Sequence, residues 1–182
     1  MKIENLTFNE YFVLEDKSEQ NFAIKYAKEL NDPVDIFEIG DFTELTFKTV
    51  KDMQYSITNG LTWDDIFELI ESVKGISQKE LGRRTIFDLA RFKCYVDAEI
   101  QRINKVENMS LSHTPTNDEE IAGIDDLSDL GTYLQFRDLA NEDITKIKEI
   151  EKIKYSDCLL ELIARKRIYE YRKAYNNRKN KH

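Results

Sequence analysis

The stretch from Ser77 to Met109 constrains the fold most, because its apolar positions recur at the spacing of one helix face. These positions, three or four residues apart, are Leu81, Thr85, Leu89, Phe92, Val96, Ile100, Ile103 and Val106. Such spacing follows the period of an α-helix, about 3.6 residues per turn. Ser77 and Glu80 have the spacing of a capping box, which satisfies backbone N–H groups at a helix start. The sequence therefore predicts one continuous helix from 77 to 109.

Such a helix would be about 46 Å long, which exceeds the width of a small domain, so the rest of the chain is expected to pack around it. Six glycines and two prolines among 182 residues are too few for an all-β fold with many tight turns. The sequence predicts a mainly α fold, a helical bundle organised around this long helix. Weak alternation in Ile3–Phe8 and Tyr11–Leu14 also allows a short N-terminal β-hairpin.

Turn residues and composition divide the chain into three predicted parts. Residues 1–112 form an N-terminal helical domain, with helices predicted at 18–30, 46–57 and 62–74 before the long one. Residues 113–122 are polar and include Pro115, which is typical of a linker or an exposed arm. Residues 123–182 form a C-terminal helical region that ends in a basic tail.

Within the C-terminal region, local patterns predict how the helices begin and which side chains face inward. Asn141 is predicted to cap a short helix, because asparagine favours the N-cap position. Tyr155 is expected to pack against Leu160 as a hydrophobic staple at the start of the last helix. Leu127, Leu130, Leu134 and Leu139 are predicted to face the core.

Residue types that support catalysis do not stand in a recognisable arrangement. His113 and His182 have no cysteine, serine or carboxylate at the spacing of a metal site or a catalytic triad. Cys94 and Cys158 are expected to be buried free thiols in a reducing compartment. No apolar run approaches the roughly 20 residues of a membrane span. The sequence predicts a non-enzymatic protein with no metal, no cofactor and no membrane contact.

Two basic segments are candidates for binding a partner. Arg83 and Arg84 stand near a predicted helix start, as in a helix-turn-helix protein that reads DNA. The C-terminal segment mixes basic and aromatic side chains, a combination found where proteins contact phosphates and bases. The predicted partner-binding residues are Arg165, Lys166, Arg167, Tyr169, Arg172, Lys173 and Tyr175. The alternatives are a solvated basic face, docking on an acidic protein surface, and binding of nucleic acid.

Charge is distributed in blocks along the chain. The formal net charge is −8, yet residues 146–182 contain twelve basic and five acidic residues. Residues 113–145 contain nine acidic residues and one basic residue. The acidic total argues against nucleic acid as the main partner, because non-specific DNA affinity needs a prevailing basic face. The blocks instead favour electrostatic complementarity within the chain or between copies.

Three stretches together resemble a known class of proteins: residues 45–54, residues 121–131, and residues 138–146 followed by Ile153-Lys154-Tyr155. In order and spacing they are similar to small proteins encoded among the tail and neck genes of tailed bacteriophages, including tail assembly chaperones. The resemblance implies a helical structural or assembly protein that contacts other phage structural proteins, as a homo-oligomer or as part of a larger assembly. It implies a location in the virion or in the host cytoplasm during assembly, and it implies no catalytic residues. The alternative function is a nucleic-acid-binding regulator that uses Arg83 and Arg84 or the C-terminal basic helix.

Overall fold

The computed structural model describes residues 6–13 and 33–179, and the structural statements below refer to these residues. The helices are α1 (Phe8–Phe12), α2 (Phe47–Thr58), α3 (Trp63–Lys74), α4 (Gln78–Leu81), α5 (Ile86–Leu111), α6 (Asn117–Ile121), α7 (Gly131–Leu139), α8 (Ile147–Ile150) and α9 (Tyr155–Lys179). Short 3₁₀ helices lie at Phe42–Glu44, Ile124–Leu130 and Ile144–Lys146. Two isolated β-bridges are present, and the described residues form no strand. The predicted mainly α class is confirmed.

The chain forms two compact units that do not follow the boundaries predicted from composition. Unit 1 comprises residues 1–42 and 52–102, and unit 2 comprises residues 43–51 and 103–182. The predicted linker at 113–122 lies inside unit 2 and contains helix α6. Thr116 and Glu119 begin this helix, since the backbone N–H of Thr116 donates to the Glu119 carboxylate at 2.8 Å.

The predicted continuous helix from 77 to 109 is wrong, because a turn at 82–85 separates α4 from α5. Backbone groups around this turn bond to the N-terminal segment instead of continuing the helix. The N–H of Asn9 donates to the carbonyl of Gly82 at 3.2 Å, and the N–H of Ile86 donates to the carbonyl of Leu6 at 2.8 Å. A Cβ atom on Gly82 would lie 2.6 Å from Oδ1 of Asn9. Glycine thus allows the two segments to approach closely.

Each of the two resulting helices has its own start signal. The predicted pair at the beginning of α4 is present, with the N–H of Ser77 donating to the Glu80 carboxylate at 3.1 Å. The longer helix begins after Thr85, whose hydroxyl oxygen accepts a hydrogen bond from the N–H of Asp88 at 3.1 Å. At 26 residues, α5 is the longest helix of the described chain.

The apolar face of α5 is buried as predicted along most of its length. The fully buried residues of this face are Leu89, Phe92, Val96, Ile100 and Ile103. The prediction that Val106 continues this face is wrong, because its side chain is 44% exposed. Glu107 is buried in its place at 9% exposure. The helix therefore turns a carboxylate, rather than the valine, towards the interior of unit 2.

The predicted N-terminal hairpin is wrong within the described residues, since Phe8–Phe12 forms α1. A capping box begins this helix: the N–H of Thr7 donates to the Glu10 carboxylate at 2.9 Å, and the N–H of Glu10 donates to the Thr7 hydroxyl at 3.3 Å. Leu6 and Tyr11 are buried in the core of unit 1. The helix predicted at 18–30 lies outside the described residues.

Two expectations for the C-terminal region are also wrong, although Leu139 is buried as predicted. Leu127 and Leu130 are about half exposed rather than buried. The cap of the 3₁₀ helix at 144–146 is Asp143, whose Oδ1 accepts from the N–H of Thr145 at 3.0 Å. Asn141 does not cap it, because Asn141 has a φ of +53° and this left-handed residue belongs to the turn that follows α7.

The buried face of α5 gives a direct test by substitution. Leu89→Ala and Val96→Ala each remove a fully buried side chain of unit 1. We expect each to lower the free energy of unfolding by about 2–4 kcal/mol, because a cavity remains among packed helices. Met109→Ala is the matched control on the same helix, since Met109 is exposed, and it should change the free energy by less than about 0.5 kcal/mol. Urea denaturation measures all three, and equal effects of Leu89→Ala and Met109→Ala would refute the face assignment.

Candidate functional site

Helix α9 is fixed to unit 2 at its first residues. The N–H of Tyr155 donates to the carbonyl of Leu45 at 2.8 Å, and the N–H of Phe47 donates to the carbonyl of Ile153 at 2.7 Å. Lys154 adds an ion pair with Glu44 at 2.6 Å. These contacts fix the start of α9, so the rest of the helix extends from a defined position in unit 2.

A buried carboxylate lies beside this starting point. Oε1 of Glu107 accepts a hydrogen bond from Nζ of Lys51 at 2.6 Å and one from Nε2 of Gln135 at 2.9 Å. Oε2 of Glu107 accepts from the hydroxyl of Tyr155 at 2.8 Å. The side chains of Lys51 and Glu107 are only 5% and 12% exposed. A buried charge needs such partners, because an unpaired one is costly away from water.

Aromatic rings enclose the ammonium group of this cluster. Nζ of Lys51 lies 5.4 Å from the ring centre of Phe47 and 5.8 Å from that of Tyr155, which places it within range of cation–π attraction. Burial lowers the pKa of Lys51, and the Glu107 charge opposes that shift. Burial and the same charge raise the pKa of Tyr155. The hydrogen bonds among these buried groups satisfy one another, so we interpret the cluster as internal support of unit 2.

No local sequence pattern predicts this cluster. Glu107 follows Ile103 at a spacing of four residues and therefore continues the buried face of α5. That spacing was the available signal, but Val106 is apolar and fits the pattern equally well. Lys51, Gln135 and Tyr155 come from distant parts of the chain, and no local pattern joins them to Glu107.

The predicted hydrophobic staple between Tyr155 and Leu160 is wrong. Tyr155 is 1% exposed and its hydroxyl donates to Glu107, so its ring is directed into the unit. Leu160 lies on another side of α9 and is exposed. Tyr155 therefore hydrogen-bonds to the buried carboxylate of Glu107 instead of packing against Leu160.

Three of the predicted partner-binding residues are engaged within unit 2. Nε of Arg165 donates to Glu161 at 2.7 Å, and Nη1 of Arg165 lies 3.1 Å from Asp138. Nζ of Lys166 donates to the carbonyls of Ser110 and Ser112 at 3.1 Å and 2.6 Å. The third residue, Lys173, lies 3.9 Å from Glu119. Each of these three cations contacts oxygen atoms of its own unit.

The other four predicted residues face solvent. Arg167 and Arg172 are exposed, and within the described residues neither side chain forms a hydrogen bond or an ion pair. Tyr169 and Tyr175 are more than half exposed. Tyr175 stacks on Tyr171 with ring centres 6.3 Å apart. The exposed candidate surface of α9 therefore consists of two uncompensated arginines and a set of tyrosines.

A cleft of about 540 Å³ lies along the side of α9 that faces its own unit. Lys166, Tyr169 and Lys173 line it together with Gln135 and Glu119. The Thr116 backbone and the His113 ring lower the pKa of Glu119 to about 2, so this carboxylate stays charged. Oε1 of Gln135 is buried and has no hydrogen-bond partner among the described residues. The cleft offers one free acceptor beside charges that are already paired.

The hydroxyl of Tyr155 should contribute measurably to stability. Tyr155→Phe removes one donor from the buried Glu107 carboxylate, and we expect the free energy of unfolding to fall by about 1–3 kcal/mol. Tyr133→Phe is the matched control, because Tyr133 is an exposed tyrosine of the same unit. Chemical denaturation of both variants at neutral pH measures the effect. Equal stability of the two variants would contradict the role assigned to Tyr155.

The raised pKa of Tyr155 predicts how this contribution depends on pH. The folded protein keeps the phenolic proton at pH values where the unfolded chain has released it, so the contribution is complete below about pH 10. Above that pH the unfolded chain releases the proton while the folded protein still keeps it, so the contribution of Tyr155 to stability falls as the pH rises. The stability difference between wild type and Tyr155→Phe should therefore be constant from about pH 7 to about pH 9 and should shrink above about pH 10. A stability difference that grows with pH would show that folding lowers the pKa of Tyr155 instead of raising it.

Across the described residues, no helix combines the length and the apolar character needed to cross a bilayer. Residues 6–13 and 33–179 contain no group of three or more histidine, cysteine, aspartate or glutamate side chains that could hold a metal ion. No protein-family model, no curated protein and no solved structure matches this chain.

Proposed function

We propose that this chain is a non-enzymatic structural or assembly protein that acts by binding another protein through helix α9. The observation that supports the proposal most is the exposure of Arg167 and Arg172, which have no compensating charge in the described structure. Arginine and tyrosine are enriched at protein interfaces, where they supply many of the energetically important contacts. The exposed side of α9 presents both residue types together.

The charge of α9 favours a partner with an acidic surface. Residues 163–179 contain seven basic residues and one acidic residue. A single exposed ion pair stabilises a complex by only about 0–1 kcal/mol, but several together set the association rate and the orientation of the partner. Arg165, Lys166 and Lys173 position the helix, while Arg167 and Arg172 are available to the partner.

The resemblance of residues 45–54, 121–131 and 138–146 to small tail and neck proteins of tailed bacteriophages supports a setting for this activity. In that setting the chain is a neck or tail component or a tail assembly chaperone, and its partners are other phage structural proteins. It would act in the virion or in the host cytoplasm during assembly. Self-association or membership of a larger assembly follows from the same proposal.

Nucleic acid is the second candidate partner, favoured by the same two exposed arginines. Arg83 and Arg84 lie in unit 1, at the turn between α4 and α5. The guanidinium of Arg84 lies 5.9 Å from the ring centre of Phe37. The formal net charge of −8 favours the protein partner over the nucleic acid.

Sedimentation of the chain in extracts of cells that produce it tests the proposal. The wild-type chain should migrate with a particle much larger than its own 21.5 kDa. Arg167→Glu with Arg172→Glu should shift at least about half of it to the position of the free chain, because two exposed cations of α9 are reversed. Lys148→Glu with Lys152→Glu is the matched control, with two exposed lysines of unit 2 outside α9, and it should sediment like wild type.

The outcome also separates the two candidate partners. Salt should weaken the association, because exposed charges are screened over about 8–10 Å at physiological ionic strength. Treatment with DNase and RNase should leave it intact. Migration as a free chain in every extract would refute the proposal, and complete loss after nuclease treatment would replace it with the nucleic-acid function.

A further inference from the structure

One side of α9 carries an apolar stripe whose large side chains are at least half exposed. The stripe consists of Leu160, Ala164, Ile168, Tyr171 and Tyr175, spaced by four, four, three and four residues. At about 100° per residue these positions lie within about 80° of each other around the helix axis. The four large side chains are between 50% and 69% exposed. Continuous exposed apolar surface of this kind marks an interaction site.

The stripe is distinct from the side by which α9 packs on its own unit. Tyr155, Cys158 and Leu162 are the buried residues of α9, and they lie on the opposite side of the helix. From Leu160 to Tyr175 the stripe is about 22 Å long, which corresponds to about four helical turns. That length and width match the seam along which two helices pack side by side.

Two arginines flank the stripe. Arg167 lies beside it on one edge and Arg172 on the other, at the positions that contact the flanks of a paired helix. Glu161 shares the edge of Arg172, but its carboxylate is paired with Nε of Arg165 at 2.7 Å. Arg167 and Arg172 are both exposed and without a charged partner among the described residues. A helix packed on the stripe would therefore meet a positive charge on each side.

These flanking charges decide which kind of helix fits. If the occupant were α9 of a second copy in antiparallel orientation, the two Arg167 side chains would approach each other. In a parallel pair, Arg167 would approach Arg172 of the second copy. Like charges across an interface disfavour association, whereas glutamate or aspartate at the same positions attracts. Charge complementarity thus favours an acidic partner helix over self-pairing.

We infer that the apolar stripe of α9 binds one amphipathic helix of a partner protein, with about four turns of apolar side chains and carboxylates on both flanks. The inference rests on the proposed function and names the chemistry of the partner. Ile168 and Tyr171, at the centre of the stripe, supply the apolar contact, and Arg167 and Arg172 select the acidic flanks. Apolar anchors at helical spacing are the usual basis of helix recognition.

Synthetic helices test this inference on the full-length chain. The probe is a fluorescein-labelled 21-residue peptide, of about six turns, with leucine at heptad positions a and d and glutamate at e and g. One matched peptide replaces each of these glutamates by lysine, and another keeps the glutamates but replaces the leucines by serine. Fluorescence polarisation in about 150 mM salt, where surface charges are partly screened, should show the leucine–glutamate peptide binding at least about tenfold tighter than either control.

Variants of the chain test the contribution of the flanking charges and that of the apolar stripe separately. Arg167→Glu with Arg172→Glu should invert the preference, so that the leucine–lysine peptide binds better than the leucine–glutamate peptide. Ile168→Ser with Tyr171→Ser should weaken binding of the leucine–glutamate peptide at least about tenfold while the helical circular dichroism is retained, because both side chains are exposed. Lys148→Glu with Lys152→Glu should leave both affinities unchanged.

Several results would overturn the inference. The first is equal binding of the leucine–glutamate and serine–glutamate peptides, and the second is a preference that the double arginine reversal does not invert. Binding to phosphatidylserine vesicles or to a single-stranded DNA oligonucleotide, with no binding of the leucine–glutamate peptide, would also overturn it. If peptide binding fails while co-sedimentation persists, the inference falls and the proposed function stands. Peptide binding without co-sedimentation supports the inference and refutes the proposed function.

Discussion

The buried carboxylate of Glu107 is the interaction on which unit 2 depends. Its three hydrogen-bond donors come from three other helices, since Lys51 lies in α2, Gln135 in α7 and Tyr155 in α9. One charged group on α5 thus joins four helices that are far apart in sequence. Replacing a whole buried network of satisfied charges by apolar groups can leave stability unchanged. Removing one partner alone destabilises the protein, because a buried charge then lacks compensation. The helices of the unit are therefore constrained to one mutual arrangement by a requirement for satisfied charge as well as by apolar packing.

This constraint divides α9 into a structural part and an exposed part. Tyr155 binds Glu107 and Leu45 at the start of the helix, and Arg165 and Lys166 bind carboxylate and carbonyl oxygens near its middle. Beyond Arg167 every residue of the helix is exposed. A helix anchored in this way can offer side chains to a partner without losing the contacts that position it, which reduces the ordering cost of binding.

Local signals in the sequence were sufficient to predict α2 and α3, whose observed bounds differ from the predicted ones by one residue at most. Thr62 begins α3 and Gly75 ends it, as the sequence predicts, because capping depends only on neighbouring residues. The break at 82–85 was not predictable in this way, since the hydrogen bonds that replace the helix come from residues 6–9. In the candidate site, the sequence located the basic and aromatic residues of α9 but could not separate those that are paired from those that are free. The residues that engage three of them, Asp138, Ser110 and Glu119, lie 27 to 56 residues earlier in the chain.

The close approach of Gly82 to Asn9 has a consequence for sequence variation. Because a Cβ atom at residue 82 would lie within 2.6–2.9 Å of the asparagine side chain, the two positions are sterically coupled. A homologous chain that acquires alanine at the position of Gly82 is expected to carry a smaller residue, such as glycine or alanine, at the position of Asn9. The two sites should therefore covary during evolution although 73 positions separate them in the sequence. An alignment in which these two positions change independently would indicate that related chains connect α4 to α5 differently.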